Sequence, residues 1–250
     1  MKTMAVTLSI LLCCLIARPA DAASSYRVTD HDRDKAFNGT TLFAHNLSRG
    51  KARIVEVAMD GSVVWQYDVP SHLFGASPTP RNIAMDVEKN PDNSLLFNIQ
   101  QVGFFRISRD KKILFEYRDA DCSHDIDLLP NGHYLYARGW VQKGQDHVVE
   151  LDGAGKKVWS WNGLAAFDRP PFSSVQNQGW IHVNSVTRLA NGHTLISLRN
   201  FNRIVEVDAS GAVVWERILG AKSKKKGKAH PHDPEIQPNG HIIVALTGAD

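Results

Sequence analysis

The stretch His124-Asp125-Ile126-Asp127-Leu128-Leu129-Pro130-Asn131-Gly132-His133-Tyr134-Leu135-Tyr136 returns twice further along the chain. The second copy is His182-Val183-Asn184-Ser185-Val186-Thr187-Arg188-Leu189-Ala190-Asn191-Gly192-His193-Thr194-Leu195-Ile196. The third is His230-Pro231-His232-Asp233-Pro234-Glu235-Ile236-Gln237-Pro238-Asn239-Gly240-His241-Ile242-Ile243-Val244. Each copy reads as strand, turn, strand. The Asn-Gly pairs at 131, 191 and 239 read as hairpin turns of the type that needs positive φ. A period of roughly 40–60 residues of strand and turn means a radial or stacked architecture.

Working outward, the second half of each unit is as regular as the first. Arg53-Ile54-Val55-Glu56-Val57-Ala58-Met59-Asp60-Gly61-Ser62-Val63-Val64-Trp65 parallels the run from Arg203 to Trp215. The run from His147 to Trp159 is a third copy, and Phe104 to Phe115 is a weaker fourth. Two hairpins per unit make four strands, which is one blade of a β-propeller. Residues 40–69 then supply the last three strands of a first blade. Residues 80–118, 123–162 and 181–219 supply three whole blades, and 230–247 the first two strands of a fifth. The expected fold is all-β, a β-propeller of four-stranded blades with about four and a half present. Helical periodicity is absent after the N-terminal leader. Trp65, Phe115, Trp159 and Trp215 recur at one place in the unit, as blade-to-blade packing residues do. The half unit at the end admits two readings: a fragment of a larger ring, or end strands that complete the first blade of a four-bladed one. The first is preferred, because the second leaves an exposed sheet edge.

The leader spans residues 1–22. Lys2 gives a positive start, Met4 to Ala17 is a short apolar core, and Ala20-Asp21-Ala22 is a cleavage signal. The propeller domain is then 23–250, and the protein is expected to be exported, periplasmic or secreted. The apolar run is too short to span a membrane, and no stable membrane insertion is expected. Beyond the leader one cysteine remains, Cys122, so no internal disulfide forms; it reads as a buried thiol rather than a nucleophile. Removing Lys2, Arg18 and Asp21 takes the net charge from +3 to +2, too mild a balance for a nucleic-acid partner. The basic run Lys222 to Lys228 reads as a solvated loop.

In a radial repeat, equivalent positions converge on one axis, so one repeated position builds one site. His124 and His232 each precede the turn Asn by seven residues, as does Asn184; His182 and His230 precede it by nine. A spacing of two keeps both positions on one strand face. Arg199 follows one strand of the fourth blade, and Arg138 follows the matching strand of the third. Arginine offers a planar fork of donors suited to sulfate or phosphate. The histidines allow three readings. They are metal ligands, structural caps, or an oxyanion site with one imidazole as nucleophile. His133, His193 and His241 follow the turns directly and read as exposed hairpin residues.

The chain resembles the arylsulfotransferase family, exported propeller enzymes that use no nucleotide sulfate donor. The resemblance rests on Gly39 to Ala44, Asp60 to Trp65, His124 to Gly132, His182 to Val186, Leu195 to Asn200 and His232-Asp233. It implies a fragment of a six-bladed ring, with an aryl sulfate and a phenol as substrates. It also implies a histidine that takes the sulfuryl group and passes it on. By motif, His232 is the implied nucleophile, and His124, His182 and Arg199 hold the sulfate oxygens. Asn184, His230 and Arg138 are further candidates for substrate binding. No cofactor and no metal is implied. The alternatives are a non-catalytic propeller that binds a ligand or protein, and a metal-dependent hydrolase that uses the channel histidines.

Overall fold

A computed structural model describes residues 26–79, 81–220 and 229–248. The leader at 1–22 and the basic run at 222–228 lie outside the described residues. The first sheet holds β1 (Thr40–Ser48), β2 (Lys51–Ala58) and β3 (Val63–Asp68). The second holds β4 (Ala84–Lys89), β5 (Leu95–Ile99), β6 (Gly103–Ile107) and β7 (Ile113–Arg118). The third holds β8 (Ser123–Leu128), β9 (Tyr134–Ala137), β10 (Val148–Leu151) and β11 (Lys157–Trp161). The fourth holds β12 (Val183–Arg188), β13 (Thr194–Leu198), β14 (Arg203–Val207) and β15 (Val213–Ile218). The fifth pairs β16 (Pro231–Ile236) with β17 (Ile242–Leu246). All pairs are antiparallel and follow chain order. The first strands of successive sheets touch, β4 with β8, β8 with β12, β12 with β16. These are propeller blades arranged around an axis lined by their first strands.

Alternation along each middle strand feeds two interfaces at once. Phe97 and Phe105 pack toward the first blade with Ile54 and Tyr67, while Leu96 and Phe104 pack toward the third with Tyr134 and Tyr136. Each of these phenylalanines is fully buried, which stabilises the fold by about 1.5–3 kcal/mol apiece. The recurring tryptophans join blades, as expected. Trp65 Nε1 donates to the Arg109 carbonyl of the next blade at 3.0 Å, and Trp159 Nε1 to that of Ala209 at 3.0 Å. Phe115 stacks on Tyr134 at 4.4 Å.

The turns differ in detail from the sequence expectation. Gly132, Gly192 and Gly240 take positive φ, but the asparagines before them do not. Each turn closes with the Gly N–H on the residue three before it, as Gly132 does on Leu129, followed by a Gly bulge. The Asn side chain instead accepts the N–H two residues on, as Asn131 does from His133 at 3.0 Å. His133 and His193 are also less exposed than expected. Their Nδ1 atoms bond to Glu150 at 2.7 Å and Glu206 at 2.6 Å, the Glu of the recurring Ile-Val-Glu-Val strand. Helical structure does occur in short pieces: α1 (Leu164–Phe167) and two 3-10 turns, Ser71–Phe74 and Arg199–Phe201. Pieces this short leave no periodicity in a sequence.

A carboxylate latch joins neighbouring inner strands. Asp86 accepts the Ile126 N–H at 3.2 Å, and Asp125 accepts the Val186 N–H at 2.6 Å. The next N–H in this series would belong to Pro234, which has none, and there the latch residue is Ser185.

Candidate functional site

The inner strands do not run straight into the site. Each pairs with its neighbour through a bulge: at Met85-Asp86, at His124-Asp125, at Asn184 and at Asp233-Pro234. His124, His182 and His230 adopt left-handed backbone, with φ of 44, 56 and 46°. That conformation is uncommon for residues other than glycine and costs on the order of 1 kcal/mol or more each. His124 lies within its bulge, and His182 and His230 directly precede the strands β12 and β16.

Three rings and a guanidinium meet there. The His124 and His182 ring centroids are 5.1 Å apart, and those of His124 and His232 are 6.5 Å apart. Trp140 lies edge-on to both, 5.2 Å from His124 and 6.1 Å from His182. The His124 imidazole is pushed down to about 3, mainly by withdrawal from water, then by His182, His232 and Arg199. That of His182 falls to about 4, by burial first and then the Arg199 charge. The two histidines are neutral at pH 7, because burial and the neighbouring guanidinium disfavour a second charge. Their Nδ1 atoms are buried without a well-formed hydrogen bond. Arg199 is itself held below its ordinary value by desolvation, and among the described residues it forms no ion pair. A desolvated guanidinium facing neutral imidazoles is a setting for an anion.

His232 is held in one tautomer. Its Nδ1 lies 2.8 Å from the His230 carbonyl, which can only accept, so Nδ1 carries the proton and Nε2 the lone pair. His230 thus contributes through its main chain. The trio takes His124 and His232 from one layer of the register and His182 from the other, as a spacing of two that keeps both layers on one strand face allows. Asn184 is buried nearby, accepting from Ser197 Oγ while its Nδ2 lacks a partner. Arg138 goes elsewhere: it pairs with Asp119 at 2.9 Å and with Asp121 at 2.5 Å. Cys122 is fully buried, and burial pushes its thiol far from ionisation. Trp140 is the site residue that sequence reasoning missed. Its approach depends on Gly139, where a Cβ would lie 2.6 Å from the Val183 carbonyl. A Gly-Trp pair after a strand carries no local signal of that.

Below the histidines, along the inner strands, lies a group of acids. Withdrawal from water and mutual repulsion push Asp86 and Glu88 up to about 7 and Asp127 up to about 10, and raise Asp125 as well. Among the described residues no three His, Cys, Asp or Glu are grouped so as to hold a metal ion. The pH dependence of stability follows. A raised carboxyl stabilises the fold below its unfolded value near 4 and loses that contribution as pH rises through its folded value. The lowered His124, His182 and His147 contribute above about 6.5 and lose it as pH falls. The two sets oppose each other between about pH 4.5 and 6.5. Above pH 7 the acids alone remain, so stability falls with rising pH, on the order of 1 kcal/mol per unit for each proton held. Thermal melts from pH 7 to 9 are expected to show a declining Tm, flattened in Asp127→Asn. Equal slopes in both proteins would contradict this account.

By fold the chain is a β-propeller, and its site gathers three histidines beside an arginine that forms no ion pair among the described residues. The chain belongs to the arylsulfotransferase (ASST) family, whose model matches residues 106–232, just over half of it and including His124, His182, Arg199 and His232. The curated proteins contain no match. Among solved structures, virginiamycin B lyase from Staphylococcus aureus is similar at a TM-score of 0.56 and 17% identity, covering 92% of this chain and 65% of that one. A protein of unknown function from Bacteroides caccae is similar at a TM-score of 0.55 and 17% identity, covering 81% of this chain and 64% of that one. These likenesses concern the fold. The chain spans a little under two thirds of the length of both proteins. No helix among the described residues is long and apolar enough to cross a membrane.

Proposed function

We propose that the protein transfers a sulfuryl group from an aryl sulfate to a phenol, through a sulfurylated His232, after export under the direction of its leader. The observation that carries this reading is the convergence of His124, His182 and His232 beside an unpaired Arg199, within the segment that matches the family. In the first step the His232 Nε2 lone pair attacks sulfur. The N–S bond forms as the S–O(aryl) bond breaks, and the aryl group leaves with the electron pair as phenolate. The Nδ1 proton stays on the imidazole, in its bond to the His230 carbonyl. In the second step the oxygen of an acceptor phenolate attacks sulfur, and the N–S pair returns to Nε2. The acceptor's proton is balanced by the phenolate released from the donor. Arg199 supplies fixed positive charge to the sulfuryl oxygens, and His124 and His182 supply neutral N–H donors. A preorganised donor of this kind lowers such a barrier by roughly 3–4 kcal/mol.

The test is incubation with a chromogenic aryl sulfate with and without a phenol acceptor. Acceptor-dependent release of the chromophore, with formation of the new aryl sulfate, is the expected result. Release without acceptor means a hydrolase. No turnover by folded protein means a propeller that only binds its ligand.

A further inference from the structure

Arg199 and His182 lie on different segments, yet one side chain joins the structures that hold them. Asn200 Nδ2 faces three main-chain carbonyls of the turn before His182: Asn177 at 2.9 Å, Trp180 at 3.1 Å and Gly179 at 3.3 Å. Asn200 Oδ1 accepts from Arg199 Nη1 at 3.3 Å. Its own N–H donates to the Ile181 carbonyl at 3.0 Å. The turn needs such a clamp. Gln178 and Gly179 both take positive φ, and a Cβ on Gly179 would lie 2.8 Å from the Gly139 carbonyl and the Trp140 main chain. The Trp180 N–H donates to the Val141 carbonyl at 3.1 Å, which ties the same turn to the segment carrying Trp140. Carbonyls of Asn177 and Gln178 lie beside the His182 ring and favour a proton on it. The 177–180 turn therefore touches His182, Trp140 and, through Asn200, Arg199.

We infer that Asn200 is the positioning residue of this site, a single carboxamide that fixes the Asn177–Trp180 turn against Arg199 and so sets the guanidinium and the His182 ring in one arrangement. The role rests on the sulfuryl-transfer reading only for its kinetic consequence. A carboxamide suits it because the turn needs donors and the guanidinium needs an acceptor, and only an amide offers both at one atom's separation. Displacing a binding group by about 1 Å costs up to roughly 10²-fold in rate.

The experiment compares wild type, Asn200→Ala, Asn200→Asp and Lys143→Ala, a control that removes an exposed ion pair to Asp168 at 2.8 Å. Transfer kinetics and NMR titration of the histidine rings are both read. Asn200→Ala and Asn200→Asp are expected to lower kcat/KM by roughly 10- to 100-fold. Asn200→Asp is expected to move the His182 titration upward by at least about one pH unit, because a carboxylate beside Arg199 offsets its charge, and Asn200→Ala to shift it as the turn's carbonyls and the guanidinium move relative to the ring. Lys143→Ala should move neither. If wild type shows no transfer while the titration still shifts, the functional reading fails and the positioning role stands. Folded variants with unchanged titration and unchanged turnover overturn the role. So does fast exchange of the Asn200 side-chain amide protons in wild type, which requires no variant to fold.

Discussion

Replacing His232 by Gln is expected to abolish aryl-sulfate turnover, by on the order of 10⁴-fold or more, with the fold intact. Removal of a nucleophile has this scale because no alternative path replaces the covalent step. The geometry gives the expectation its direction. His232 Nδ1 is committed to the His230 carbonyl at 2.8 Å, so the ring presents Nε2 in one orientation. The carboxamide of the variant would keep a polar side chain there but offer no nucleophilic nitrogen. His230→Gln is the informative contrast. It leaves the carbonyl in place, so turnover should persist within about tenfold, since the chemistry keeps its nucleophile. Mass analysis of protein quenched in alkaline denaturant should find one sulfuryl group on wild type and on His230→Gln, and none on His232→Gln. Activity that survives in His232→Gln and disappears in His230→Gln would assign the nucleophile to the other histidine.

The blades were legible in the sequence because their signals are local. A Gly turn between β-branched runs is decided within about ten residues, as in the hairpins that turn at Gly132, Gly192 and Gly240. The site was legible only in part. His124, His182, His232 and Arg199 are brought together, but their protonation is set by burial, which no spacing records. Arg138 and Arg199 hold matching places in adjacent blades and do different work. Arg138 meets Asp119 and Asp121 from the preceding inter-blade loop, whereas Arg199 is linked to the Asn177–Trp180 turn through Asn200 and finds no carboxylate among the described residues. That difference lies in loops of irregular length, where a repeat pattern says nothing. The bulges belong to the same class. They shift the strand register at His124-Asp125, Asn184 and Asp233-Pro234, which no residue spacing records.

Arg199→Ala is expected to lower kcat/KM by roughly 10²- to 10³-fold while leaving the melting temperature unchanged or higher. The two halves of this outcome come from one observation. The guanidinium is partly desolvated, has no carboxylate partner among the described residues, and depresses the protonation of His124 and His182. Charge placed in this way costs the empty fold free energy and is compensated only when an anion arrives. Its removal relieves the fold of that cost and strips the transition state of the fixed positive charge that Arg199 supplies. Arg199→Lys separates charge from shape. An ammonium restores the charge but not the planar fork that grips two sulfuryl oxygens, so only part of the rate should return. The titrations supply an independent check. With the charge gone, His124 and His182 should protonate at higher pH than their present values of about 3 and 4, while Arg199→Lys should leave them near those values. Arg138→Ala is the opposite case. It breaks pairs to Asp119 and Asp121 and leaves the partly buried Asp119 without its cation, so it should lower the Tm while kcat per folded molecule holds. A lower Tm for Arg199→Ala with unaltered kinetics would make Arg199 a structural residue like Arg138, and would remove the anion site on which the proposed chemistry depends.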